Sequence, residues 1–210
     1  MRAPKECGSW FWDLGEVTPP GLQSALRVAA RMAEVLNRFD LLTPVSLECK
    51  WYVRGSGFTG TMSRVFVFTP LDDPSLPDKV LGSQPASFPD SKTNSLQVIG
   101  SGTWFDAEGK ARKESRLVDL SVTTGSYGPT ATLSVHHDIW GSFDFFGRPH
   151  HEVQTRNAPR LADALRGLNT ALGVAPELGE PTYFGVATEF GIAAPDADED
   201  GLGPDLTDKL

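Results

Sequence analysis

At 210 residues, with 40% hydrophobic and 22% charged side chains, the chain is long enough to bury one substantial core and short for two. The net charge of -8 argues against a nucleic-acid partner, because neutralising phosphates takes clustered Lys and Arg, and none is visible. No stretch approaches the ~18 apolar residues of a membrane span and MRAPKECGSWFW lacks the apolar core of a signal peptide, so a cytoplasmic domain without membrane contact is expected.

The first aromatic group is Trp10, Phe11 and Trp12, in a terminus with little other patterning; it is expected either as core or as an exposed patch suited to a partner protein. Thr18 followed by Pro19 and Pro20 predicts a helix N-terminus. Leu22, Leu26, Ala29, Ala33, Leu36 and Phe39 then recur at helical spacing. From Val45 to Arg54 the period changes to two, with Val45, Leu47, Cys49, Trp51 and Val53 on one face, which predicts a half-buried strand. Cys49 sits there as a small buried hydrophobe would, and with Cys7 it is expected as a free thiol in a reducing compartment.

GSGFTG, Gly55 to Gly60, spells a dinucleotide fingerprint after a strand. The next residues, TMSRVFVF, have strand and not helix character, so a glycine-rich hairpin is the better expectation. A strand is predicted over 61–68. The segment 70–94 carries five prolines and no convincing period apart from a turn of helix near Lys79 to Leu81; it is expected as a surface flap or a functional loop. Strands are predicted next over 95–105, 114–123 and 130–140, separated by the turns DAEGK and TGSYGP, as an antiparallel meander.

All four histidines stand in two adjacent pairs, His136-His137 and His150-His151, each followed by a carboxylate, Asp138 or Glu152. Strand alternation puts the two members of a pair on opposite faces. If residues 150–155 are also extended and lie beside the first pair, His136, Asp138, His150 and Glu152 converge as two imidazoles and two carboxylates, a set suited to one divalent metal. The alternative is a packed His137 with the others on a wet surface, and no cofactor. A second helix is predicted from Asn157, with Pro159 in its first turn, to Gly173, and a late strand over 183–188. From Asp196 onward Asp196, Asp198, Glu199, Asp200, Asp205 and Asp208 face only Lys209, so most of the net charge lies in this tail. DADEDG imitates the start of a calcium loop but has Thr207 where a bidentate Glu is needed.

The pattern predicts an α+β fold: one domain over 1–192, an antiparallel sheet with two amphipathic helices on one face, and a flexible acidic tail over 193–210. The runs DIWGSFDFFGRPHHEVQTRNAPRLADALRGLNTALG and PTYFGVATEFG resemble small actinobacterial proteins, some of the type that gives immunity to polymorphic toxins. The resemblance covers about the last third of the chain and implies no catalytic residue. It implies a non-enzymatic scaffold that binds another protein, such as a basic toxin domain, through an acidic surface. The other expectations left open are a metal-dependent enzyme at the His/carboxylate set and a small-ligand-binding protein.

Overall fold

Period-two alternation produces the largest element of the fold, an antiparallel sheet. The computed structural model describes residues 1–53, 55 and 57–210, so Arg54, the last residue of the predicted second strand, and Ser56 of the glycine-rich run lie outside the described residues. In chain order the elements are β1 (Gly8–Asp13), α1 (Leu22–Arg38), β2 (Thr43–Val53), β3 (Gly57–Phe66), α2 (Leu76–Gly82) and β4 (Lys92–Phe105). They continue with β5 (Ala111–Ser115), β6 (Val118–Thr123), β7 (Thr130–Val135), α3 (His151–Leu172), β8 (Glu177–Leu178), β9 (Ala187–Thr188) and β10 (Gly191–Ile192). The main sheet runs β3-β2-β4-β6-β7-β1-β8, with β5 paired to β4 beyond the end of β6, and every pair is antiparallel. The predicted α+β architecture is present, and β4, β6 and β7 form the meander.

One face of this sheet is apolar. Leu47, Cys49, Leu96, Val98, Leu120, Val122, Leu133, Val135, Trp10 and Trp12 point to it, and α1 and α3 cover it with Leu26, Met32, Leu36, Leu161, Leu165 and Leu168. Their spacing follows from the strand period of two and the helix period of 3.6. Burial on this face is the main source of stability, at roughly 1.5–3 kcal/mol for each large side chain removed from water.

Trp10 and Trp12 are therefore core and not a partner patch: both are fully buried, while Phe11 between them is 36% exposed. The reason is that β1 lies inside the sheet, between β7 and β8, so alternation sends both indoles inward. Each finds an acceptor, Trp10 Nε1 on the Thr188 carbonyl at 2.8 Å and Trp12 Nε1 on Asn169 Oδ1 at 3.0 Å.

Other differences have local causes. The strand predicted over 114–123 is broken at Arg116, whose φ of 54° and N–H bond to the Gly100 carbonyl at 2.9 Å make a kink between β5 and β6. The segment 70–94 is built around α2, and Leu71, Leu76 and Val80 join the core. α1 starts at Leu22, one turn later than Thr18 suggests. α3 starts six residues earlier than predicted, at His151, and carries Pro159 inside it. Asn157, fully buried, fixes this part of α3 across the sheet: its Nδ2 donates to the Phe105 carbonyl at 2.7 Å and its Oδ1 accepts the Phe105 N–H at 2.9 Å. Arg160 adds bonds to the carbonyls of Thr103 and Phe39.

Candidate functional site

The early start of α3 decides the fate of the proposed metal set. Residues 150–155 are not extended, and β7 ends at Val135, where the chain turns into a short 3₁₀ helix over Asp138–Trp140. Strand parity therefore does not apply to Asp138, His150 or Glu152. His136 Nε2 lies 3.3 Å from Asp119 Oδ2, and Asp119 also accepts from Arg2 Nη2 at 2.7 Å and Arg116 Nε at 2.9 Å. Asp138 accepts from the amino group of Met1 at 2.6 Å. His150 Nε2 donates to the Gly141 carbonyl at 2.9 Å, in front of α3, and Glu152 is exposed in the first turn of that helix. The four residues do not converge, and among the described residues no three His, Cys, Asp or Glu side chains are grouped so as to hold a metal ion.

The protonation states follow from these surroundings. Burial pushes Asp119 up, but the hydrogen bonds and charges of Arg116 and Arg2 outweigh it and hold the carboxyl below its ordinary range. Burial, then the charge of Arg2, lowers His136. His137 is 4% exposed, and burial pushes it down to about 4, so it is neutral near pH 7. Cys7 donates its thiol to the His137 carbonyl at 3.6 Å, and burial pushes that thiol up to about 12. The thiol is thus held neutral by burial against a backbone carbonyl, without the thiolate that nucleophilic chemistry uses.

What His137 does border is a cavity of 210 Å³. Its wall includes Cys7, His137, Trp140, Phe143, Phe184 and Leu206, brought together from distant parts of the chain by three local devices. The first is the turn in SFDFFGRP. Asp144 Oδ1 accepts the N–H groups of Phe146 and Arg148, both at 2.9 Å, Gly147 takes φ 76°, and Phe145 is driven inward to meet Phe184 edge to face at 5.4 Å. The second is the anchoring of the C-terminal segment on β1. Thr182 Oγ1 donates to the Glu6 carbonyl at 2.6 Å, and Gly8 leaves room for Ile192, which a Cβ at that position would strike. The third is the acidic tail, which returns to the aromatic turn: Gly203 N–H meets the Gly147 carbonyl at 2.8 Å and Leu206 N–H the Phe145 carbonyl at 2.9 Å.

The tail gives the cavity Pro195, Pro204 and Leu206, and its carboxylates lie on the same segment without lining the cavity. Asp198 Oδ1 accepts the N–H groups of Asp200 and Leu202 at 3.0 and 2.8 Å, which makes DADEDG a turn held by its own side chain. Asp196, Asp198, Glu199, Asp200 and Asp205 are exposed. Phe146, Val186, Tyr183 and Leu202 are 41%, 42%, 71% and 45% exposed. The glycine-rich run behaves as expected of a hairpin, since Gly57 opens β3 and no helix comes after it.

Sequence reasoning misses this constellation because its parts are far apart in sequence. The FDFFG turn and the PTYFG run are its visible signals. No protein-family model, no curated protein and no solved structure matches the chain. Among the described residues no helix is long and apolar enough to cross a membrane.

Proposed function

We propose that this chain is a non-enzymatic protein-binding domain that captures a basic partner, of the kind a toxin-immunity pair requires, and that the cavity between the aromatic turn and the C-terminal segment is its anchor point. The observation that carries this reading is an apolar cavity whose surrounding segments bear exposed carboxylates. An acidic rim draws in a basic surface and sets its orientation, while an apolar pocket supplies the affinity by burying one large side chain. At 210 Å³ the cavity is below the ~300–1,000 Å³ of small-molecule sites, which favours an inserted side chain over a free ligand. The two runs that resemble immunity proteins, 138–173 and 181–191, also supply much of the cavity wall.

The test is calorimetric titration of the full chain with the product of the neighbouring reading frame, at low and high salt. Expected are a complex that weakens as salt rises, and loss of at least tenfold in affinity for Val186→Trp, which closes the mouth. A wild-type chain that leaves that product unbound and its toxicity intact, or a V186W variant with full affinity, overturns the reading.

A further inference from the structure

The sheet has one long free edge. β8, at one end, has two residues, whereas β3, at the other, has ten and, among the described residues, pairs only with β2. Proteins ordinarily blunt such edges with bulges, lysines or prolines. The first half of β3 is blunted in this way: Tyr52 pairs with Phe58 and Lys50 with Met62, so Thr59 to Thr61 bulge opposite Trp51, with Gly60 at φ 72°. The second half is not. From Met62 to Phe66 the register with β2 is regular, the one charge, Arg64, is paired with Glu48, and Met62 and Phe66 are 57% and 59% exposed. Phe68, just beyond, is 91% exposed.

This half-strand is complementary to itself. Reflection about Val65 matches Arg64 with Phe66 and Ser63 with Val67, the residue just past the end of β3; Met62 matches Phe68, which lies in the bend beyond the strand. The Val67 N–H is bonded to the Val45 carbonyl of the preceding strand segment at 2.9 Å. By alternation the N–H and C=O of Arg64 and Phe66 then point away from β2, toward the free edge. We propose that two copies of this chain pair through these edges, antiparallel about a two-fold axis at Val65, and so join their sheets into one. Arg64 and Phe66 of one copy then exchange backbone hydrogen bonds with Phe66 and Arg64 of the other. Each guanidinium then lies against an aromatic ring. Centring the axis on Arg64 instead would oppose two like charges, which disfavours that register. The surface is separate from the cavity and does not rest on the partner-binding reading.

The experiment is sedimentation equilibrium on the full chain, with a mass twice the 22.7 kDa of one copy expected. Arg64→Pro removes an outward N–H without touching the ladder to β2, and should give a monomer with unchanged circular dichroism. Register is read separately. Directly opposed, non-hydrogen-bonded residues lie about 4.5 Å apart at Cα, within disulfide reach, so Val65→Cys should cross-link two copies under mild oxidation, whereas Ser63→Cys should not. A wild-type chain that remains monomeric at the highest concentration reached, or an S63C variant that cross-links as fast as V65C, overturns the proposal.

Discussion

The two faces of the sheet are made by the same strands and obey different physics. Along β6 and β7, Leu120, Val122, Leu133 and Val135 are fully buried under the helices, while Asp119, Ser121, Thr132 and Ser134, one residue away in each case, are half-buried on a face that no helix covers. The covered face gains from apolar area, and the open face from short polar side chains that stay in water and from one ion cluster around Asp119. The doubled histidine shows the same division at the scale of two residues: His136 meets Asp119 among the polar groups, and His137 is buried at the cavity. Burial therefore stabilises the fold mainly from one side of the sheet.

The most forceful way to break this contrast is substitution at paired positions. Trp12→Ala on the covered face should cost about 3–5 kcal/mol in chemical denaturation, because it empties a fully buried site and strands Asn169. Thr132→Ala, opposite Phe11 on the open face, should change stability by less than about 0.5 kcal/mol. Comparable losses at the two positions would mean that the open face is covered in solution.

Acid titration separates the two histidines. Above pH 6.5 both the folded and the unfolded chain hold His137 neutral. Between 6.5 and about 4 only the unfolded chain takes the proton, so stability falls as pH falls, by roughly 3 kcal/mol in total, and His136 adds to the same slope. Denaturation midpoints measured from pH 7 to 4 should show this, and His137→Gln should flatten the curve more than His136→Gln. A flat wild-type profile would place His137 in contact with water.

Asn157 tests the cross-brace between α3 and β4. Asn157→Ala leaves the N–H and C=O of Phe105 buried without partners, and a loss of about 2 kcal/mol in unfolding free energy is expected. This residue also explains much of what the sequence conceals. Strand periods announce β2, β4, β6 and β7 because one face of each is buried, and the amphipathic stripe announces α1. The start of α3 is hidden, since Pro159 looks like a first-turn residue. Helix continues back to His151 across it because tertiary contacts at Asn157 and Arg160 outweigh the one backbone bond that proline lacks. β1 is hidden, because Trp10, Phe11 and Trp12 are three consecutive aromatic residues without polar alternation, and its place inside the sheet depends on long-range pairing with β7. The cavity is assembled from Cys7, residues 137–145 and residues 182–206, and only folding brings these together.

The thiols provide a smaller, kinetic readout. Cys7 and Cys49 are both buried and both pushed up to about 12, burial being the largest cause, so native protein at pH 8 should resist iodoacetamide and unfolded protein should take two labels, as counted by mass spectrometry. Rapid labelling of Cys7 alone would indicate that the cavity wall opens while the sheet around Cys49 stays closed.

The smallest effect concerns the residues that looked most like chemistry. His136 is paired with Asp119 and His150 with the Gly141 carbonyl, with no partner in common. Their alanine substitutions should therefore be additive in unfolding free energy to within about 0.5 kcal/mol, and zinc should leave the melting temperature of the wild-type chain unchanged. A coupling above about 1 kcal/mol, or a zinc-dependent rise in melting temperature lost in His136→Ala, would show that His136, Asp138, His150 and Glu152 do share an ion. The division between a covered apolar face and an open polar face would then have to make room for a metal centre.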